Sequence, residues 1–188
     1  MTEQRWAENE KTRNFDGIFE EISIQTLDRL EDILFASCNE LFAELFDDNW
    51  LARNSVGEIC NRFNETFEVF DKLESISYVR LWNSMRRRSL INYLTTMMKR
   101  KLSLSSPDER RMGGDKIKEE ADLFNEFFTA MSTDDVTEAD QNKNSFDILG
   151  IISNIIATDE EMLSFELMTL IRKHFKTTDK LFFDKIMK

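Results

Sequence analysis

The sequence predicts an all-α fold. Five Gly and one Pro in 188 residues leave few helix breakers, and the abundant Leu, Glu, Met and Lys favour helix. Apolar residues return at steps of three and four between Ser/Thr-x-x-Glu signatures, the pattern of amphipathic helices with capping boxes at their starts. A chain of this length is long enough for one domain burying roughly 70 % of its unfolded surface. Residues 1–188 are therefore expected to form a single helical domain, with 1–14 disordered and an acidic loop at 132–145.

The elements follow in order. From Ile18 to Phe46, Leu27, Leu30, Leu34, Cys38, Leu41 and Leu45 recur at helical spacing with Phe35, Phe42 and Phe46 beside them, a broad apolar stripe. Asp47 to Asn54 interrupts it, and Ser55 with Glu58 forms a capping box opening a helix to Leu73. The next helix spans Ser77 to Leu102, roughly 38 Å at ~1.5 Å per residue. Tyr78, Trp82 and Met85 precede Leu90, Leu94, Met98 and Leu102 on it as the expected apolar line. At Ser106 the signals converge: a capping hydroxyl, Pro107 at the first helical position where no amide partner is needed, and Glu109 closing the box. That helix runs to Met131 through Ile117, Ala121, Phe124 and Phe128. Gly113 and Gly114 near its start cost of order 1 kcal/mol each relative to Ala, which close backbone packing would explain. Beyond the loop, Phe146 to Ala157 is a short apolar helix. Thr158 with Glu161 caps one to Phe175, and Thr178 caps a last one through Phe182.

Several function classes are poorly supplied. His174 is the only histidine, which excludes the usual multi-histidine metal sites and leaves a catalytic triad one candidate base. No Gly-rich phosphate loop, G-x-S-x-G elbow or C-x-x-C occurs. A calcium loop starting at Asp134 would need Gly and Glu where the chain has Ala139 and Ser145. No catalysis, cofactor or metal is expected. Cys38 and Cys60 fall at helical core positions without the spacing of a disulfide framework, which fits a reducing compartment. Asn64-Glu65-Thr66 matches the glycosylation sequon by chance, inside a helix. No run reaches the ~18 apolar residues of a membrane span, and the N-terminus lacks a signal-peptide core, so the expected location is cytoplasmic.

Charge supplies the better clue. Between Tyr78 and Arg111 nine cations face two carboxylates, Asp108 and Glu109, a local net of +7 in a chain of net charge −11. Arg86, Arg87 and Arg88 form one cluster and Lys99, Arg100 and Lys101 a second, roughly 20 Å further along the same helix. The six are the candidate contact residues for an anionic membrane or an acidic partner, and Arg86 and Lys99 are expected to share a face. The competing reading pairs Arg86 to Arg88 with acidic neighbouring helices of the same bundle. Nucleic acid is not expected as a partner, because the chain is acidic overall and its aromatic residues follow core stripes instead of interleaving with cations.

A series of weak motifs, in order, resembles a known family. K-R-K-L-S-L, then S-P-D-E-R-R, then M-G-G-D-K-I-K-E-E-A-D-L-F-N-E-F-F look like the C-terminal region of the exocyst complex component 3 family, which includes the tumour-necrosis-factor-induced nanotube protein. Upstream, N-W-L, a polar gap and V-G-E-I-C-N-R-F-N-E-T-F-E-V-F (Asn49 to Phe70) are similar to the family's K-W-L and following aromatic-rich helix. Downstream, Ile155 to Phe175 looks like its helix pair. The resemblance covers about Ile22 to Phe175 and implies a C-terminal piece, or a much shortened relative, of longer proteins. It further implies an elongated antiparallel helical bundle or rod that assembles with exocyst subunits, contacts SNARE proteins or their regulators, and tethers secretory vesicles. Such a protein would be cytoplasmic with peripheral recruitment to the plasma membrane. The nanotube relative suggests an alternative, a peripheral membrane-binding protein whose basic helix contacts phosphoinositides; a free-standing helical scaffold is a third. No family motif marks individual partner-binding residues.

Overall fold

The structure is a computed structural model that describes residues 2–70, 73–100, 102, 104–137 and 146–158, with the side chains of 2–16 and 67–69 left aside. It is all-α: α1 (Thr2–Glu44), a short 3-10 turn (Trp50–Ala52), α2 (Ser55–Phe70), α3 (Ser75–Arg100), α4 (Pro107–Ala130) and α5 (Asp147–Ala157), with no strand among the described residues. The helices expected after Thr158, and His174, lie outside the described residues. The chain read as one domain falls into two compact units, Met1–Lys101 with Leu123–Ser145 and Leu102–Asp122 with Phe146–Lys188.

In the first unit, α1 starts at Thr2, well before the expected Ile18. Residues 1–14 were expected to be disordered, but no Pro or Gly occurs before Gly17 and nothing local stops the helix from extending. Its stripe is buried from Leu27 through Leu34, Phe35, Cys38, Leu41, Phe42 and Leu45. The helix stops at Phe46, which takes a left-handed φ of 61°. That conformation costs a bulky residue ~1 to 2 kcal/mol. It is held by packing, the ring lying 4.6 Å from Trp50 and 5.1 Å from Tyr93. Asp47 organises the following turn: its Oδ1 accepts from the Asn49 amide at 2.9 Å and its Oδ2 from Arg53 at 2.9 Å.

The α2 start departs from the expected Ser55 and Glu58 box. Ser55 is already helical, and the carbonyl of Asn54 accepts the first helical bond from the Glu58 amide at 3.1 Å. The Asn54 carboxamide lies over Gly57, where an added Cβ would come within 2.4 Å of it. A side chain at 57 would push that carboxamide aside.

Helix directions follow from the pairs they bring together. Phe35 meets Phe63, and Arg62 donates to the Ser37 carbonyl, so α1 and α2 are antiparallel. Glu20 with Arg80, Asp32 with Arg88 and the Ala43 carbonyl with Arg100 ascend together, so α1 and α3 are parallel. Tyr78 Oη donates to the Met131 carbonyl at 2.6 Å and Trp82 Nε1 to the Phe128 carbonyl at 3.0 Å. These bonds run α3 antiparallel to the end of α4 and satisfy carbonyls that a helix C-terminus leaves unpaired. Phe63 and Phe127, at 6.1 Å, close the aromatic core.

The buried line of α3 is Tyr78, Leu81, Trp82, Met85, Arg86, Ser89 and Tyr93. The expected line through Leu90, Leu94 and Met98 is half-buried to exposed. Residues exactly four apart drift by about 40° per step around a helix of 3.6 residues per turn, so such a series leaves the core face.

In the second unit, α4 begins as expected. The Glu109 amide donates to Ser106 Oγ at 3.1 Å, while Glu109 Oε2 accepts from the Ser105 and Ser106 amides at 2.7 and 3.2 Å. Gly114 faces α5 so closely that a Cβ there would stand 2.8 Å from the Ser153 carbonyl oxygen and 2.9 Å from the Ala157 Cβ. Backbone cannot retreat as a side chain can, which accounts for a glycine inside a helix. Gly113 meets only the Leu104 side chain. Ile117, Ala121, Phe146, Leu149 and Ser153 are buried here. The Thr158 hydroxyl donates back to the Asn154 carbonyl at 2.6 Å, closing the end of α5. Of the expected loop, 132–137 are turns and irregular chain, and 138–145 lie outside the described residues, as does Glu161 of the third expected capping box.

Candidate functional site

The first cation cluster of α3 is turned toward its own unit. Arg86 is only 7 % exposed; its guanidinium carbon lies 5.2 Å from the centre of the Trp82 ring and its Nη2 donates to Asn125 Oδ1 at 3.4 Å. Arg88 reaches Asp32 at 2.9 Å and Glu31 at 3.4 Å, and stacks 4.5 Å from the centre of the Phe35 ring. Glu31 is itself buried and also accepts from Ser84 Oγ. Only Arg87 of this cluster is exposed. The pairing with acidic neighbours that the sequence held out as a competing account describes Arg88.

The second cluster differs. Lys99 and Arg100 are exposed in the last turn of α3, where positive charge complements the helix dipole. Lys101 lies outside the described residues. Arg100 Nη2 donates to the Ala43 carbonyl of α1 at 2.6 Å. Among the described residues neither Lys99 nor Arg100 has a carboxylate partner. Arg86 and Lys99 do not share a face: thirteen steps of ~100° leave them ~140° apart, one buried and the other in solvent.

Lys99 and Arg100 border a cleft of about 330 Å³ between α1 and α3, lined also by Asn39, Phe42, Ala43, Asn92, Thr95 and Thr96. The polar part of this lining is not among the residues expected from the sequence. Its signal was present, since Asn92, Thr95, Thr96 and Lys99 stand at i, i+3, i+4 and i+7, one helical stripe. The α1 residues Asn39, Phe42 and Ala43 need the register of α1 against α3, which only the structure supplies.

The two cysteines are poor nucleophiles. Burial pushes the Cys38 thiol up, and burial with the nearby Cys38 pushes Cys60 up to about 12. Both are protonated at neutral pH, and the thiolate is the reactive form. Among the described residues no group of His, Cys, Asp and Glu could hold a metal ion, and no helix is long and apolar enough to cross a membrane.

Residues 2–188 match the family of exocyst complex component Sec6. The chain belongs to that family. The match spans more than the motif series running from Ile22 to Phe175, and takes in the whole of α1. An exocyst component of this family is a subunit of a vesicle-tethering complex, with other exocyst subunits as its partners and a cytoplasmic or peripheral plasma-membrane location. No solved structure matches the chain.

Proposed function

We propose that this chain is a non-enzymatic helical module, similar to the C-terminal part of exocyst complex component 3, that tethers secretory vesicles by binding exocyst subunits and SNARE proteins or their regulators through helix faces. The family match over 2–188 carries the reading. Supporting it, α1 exposes Ile18, Phe19 and Ile22, with Phe19 at 67 %. These residues stand at i, i+1 and i+4, so they form an apolar face against which a partner helix can pack. The flanking Glu20 and Glu21 suit a partner with basic residues beside its apolar stripe. Of the six-cation set, Arg87, Lys99 and Arg100 are the described members left for an acidic partner or an anionic surface, since Arg86 is buried and Arg88 is paired, and Lys101 stays in the proposed set from outside the described residues. Localisation follows from assembly: cytoplasmic, with peripheral recruitment to the plasma membrane.

Affinity purification of the chain from its native cytosol, with partners identified by mass spectrometry, tests this. Recovery of exocyst subunits and a SNARE protein, reduced by Phe19→Asp, is expected. Recovery of neither, together with salt-sensitive binding of the purified chain to anionic liposomes, would replace tethering by the membrane-binding alternative.

A further inference from the structure

We propose that the cleft between α1 and α3 binds a small phosphate-bearing polyol. Its volume of about 330 Å³ falls at the lower end of the range for small-molecule sites, ~300 to 1,000 Å³. The chemistry of its wall is selective. Asn39 and Asn92 contribute carboxamides, Thr95 and Thr96 hydroxyls, Lys99 an ammonium and Arg100 a guanidinium, over a floor made by buried Phe42. No carboxylate lines it, in a chain with 36 acidic residues against 25 basic ones.

The cations at its mouth are available, and one of them is held in place. Elsewhere in the described residues Arg53, Arg80, Arg88 and Lys116 each pair with a carboxylate. Lys99 and Arg100 do not. Arg100 commits one Nη2 bond to the Ala43 carbonyl, which fixes the fork and leaves its other N–H groups for an oxyanion. A guanidinium held by a neighbouring carbonyl loses less freedom on binding phosphate than a free side chain. Carboxamides and hydroxyls both donate and accept, so they suit the hydroxyl groups of a polyol, whereas a bare anion would use the cations alone. The net charge of −11 opposes close approach to an extended anionic surface. A small ligand is governed mainly by charges within a Debye length of ~8 Å, and the cleft's own lining holds two cations and no carboxylate. A free phosphorylated polyol and the headgroup of a phosphorylated lipid share this chemistry.

The test uses the full chain and inositol trisphosphate as probe, followed by calorimetric titration. Saturable one-to-one binding is expected, weakened about tenfold by Arg100→Gln and about threefold by Asn92→Leu or Thr96→Val, the range for lost charged and neutral hydrogen bonds. Each variant should melt as the parent does. Absence of saturable binding, or loss with Arg100→Gln while both neutral variants bind normally, overturns the site, because the second pattern is that of charge attraction without a pocket. Vesicles of phosphatidylcholine with and without a phosphoinositide separate the sources. Affinity retained on the vesicle assigns the headgroup, and affinity for the free probe alone assigns a soluble ligand. The tethering reading does not depend on either result.

Discussion

Arg86 and Arg88 face the interior of their unit, the one over Trp82 and the other between Phe35 and two α1 carboxylates, whereas Lys99 and Arg100 on the same helix border an open cleft. As sequence, the two groups look alike, short runs of cations on a long helix. What separates them is the neighbour each meets. A cation that meets a buried carboxylate or an aromatic face becomes part of the fold, and one that meets carboxamides and hydroxyls remains free to meet a ligand. Charge density alone does not identify a binding surface.

The comparison can be broken most readily at Arg86. Arg86→Glu places an acid against the face of Trp82 and the side-chain Oδ1 of Asn125, both electron-rich, and should lower the unfolding free energy by about 3 kcal/mol or more in chemical denaturation. A smaller change would mean that the side chain can swing into solvent. Arg88→Ala is expected to cost about 2 kcal/mol, between the values for exposed and buried pairs, since Glu31 then keeps only Ser84 as a described partner. If pairing is the cause, adding Glu31→Gln to Arg88→Ala should recover much of the loss. Additive effects would show that Arg88 contributes through its stacking on Phe35.

Beyond the second cluster, stability should reside in the helix cap. Ser106→Ala is expected to cost ~1 kcal/mol by orphaning the Glu109 amide, and a change within error would disprove the capping role. Lys99→Glu with Arg100→Glu should change stability least, by ~0.5 kcal/mol or less. The small cost expected comes from the helix dipole and the Ala43 contact.

The contrast also marks what was legible beforehand. The Ser106 and Glu109 box was readable because all its partners lie within four residues, and the α1 stripe because its period repeats through Leu27, Leu34, Cys38, Leu41 and Leu45. Asn54 as the true start of α2 was missed because Ser55 and Glu58 fit the same template one residue on. The burial of Arg86 was not legible, since it depends on Asn125, 39 positions away, and an arginine in a charge run is by default assigned to solvent. Ser89 and Tyr93 take the buried face that residue type alone assigns to Leu90 and Leu94, because angular position around α3 decides burial there. The cleft requires two helices to be set side by side, since α3 supplies five of its eight lining residues and α1 the other three.

The most direct test of the division within α3 is a side-by-side thermal melt of Arg86→Glu/Arg88→Glu and Lys99→Glu/Arg100→Glu in the full chain. The first pair should lower the melting temperature by about 10 °C, at ~2 to 4 °C per kcal/mol for a chain of this size, and the second by about 2 °C or less. Equal shifts from the two pairs would contradict the account.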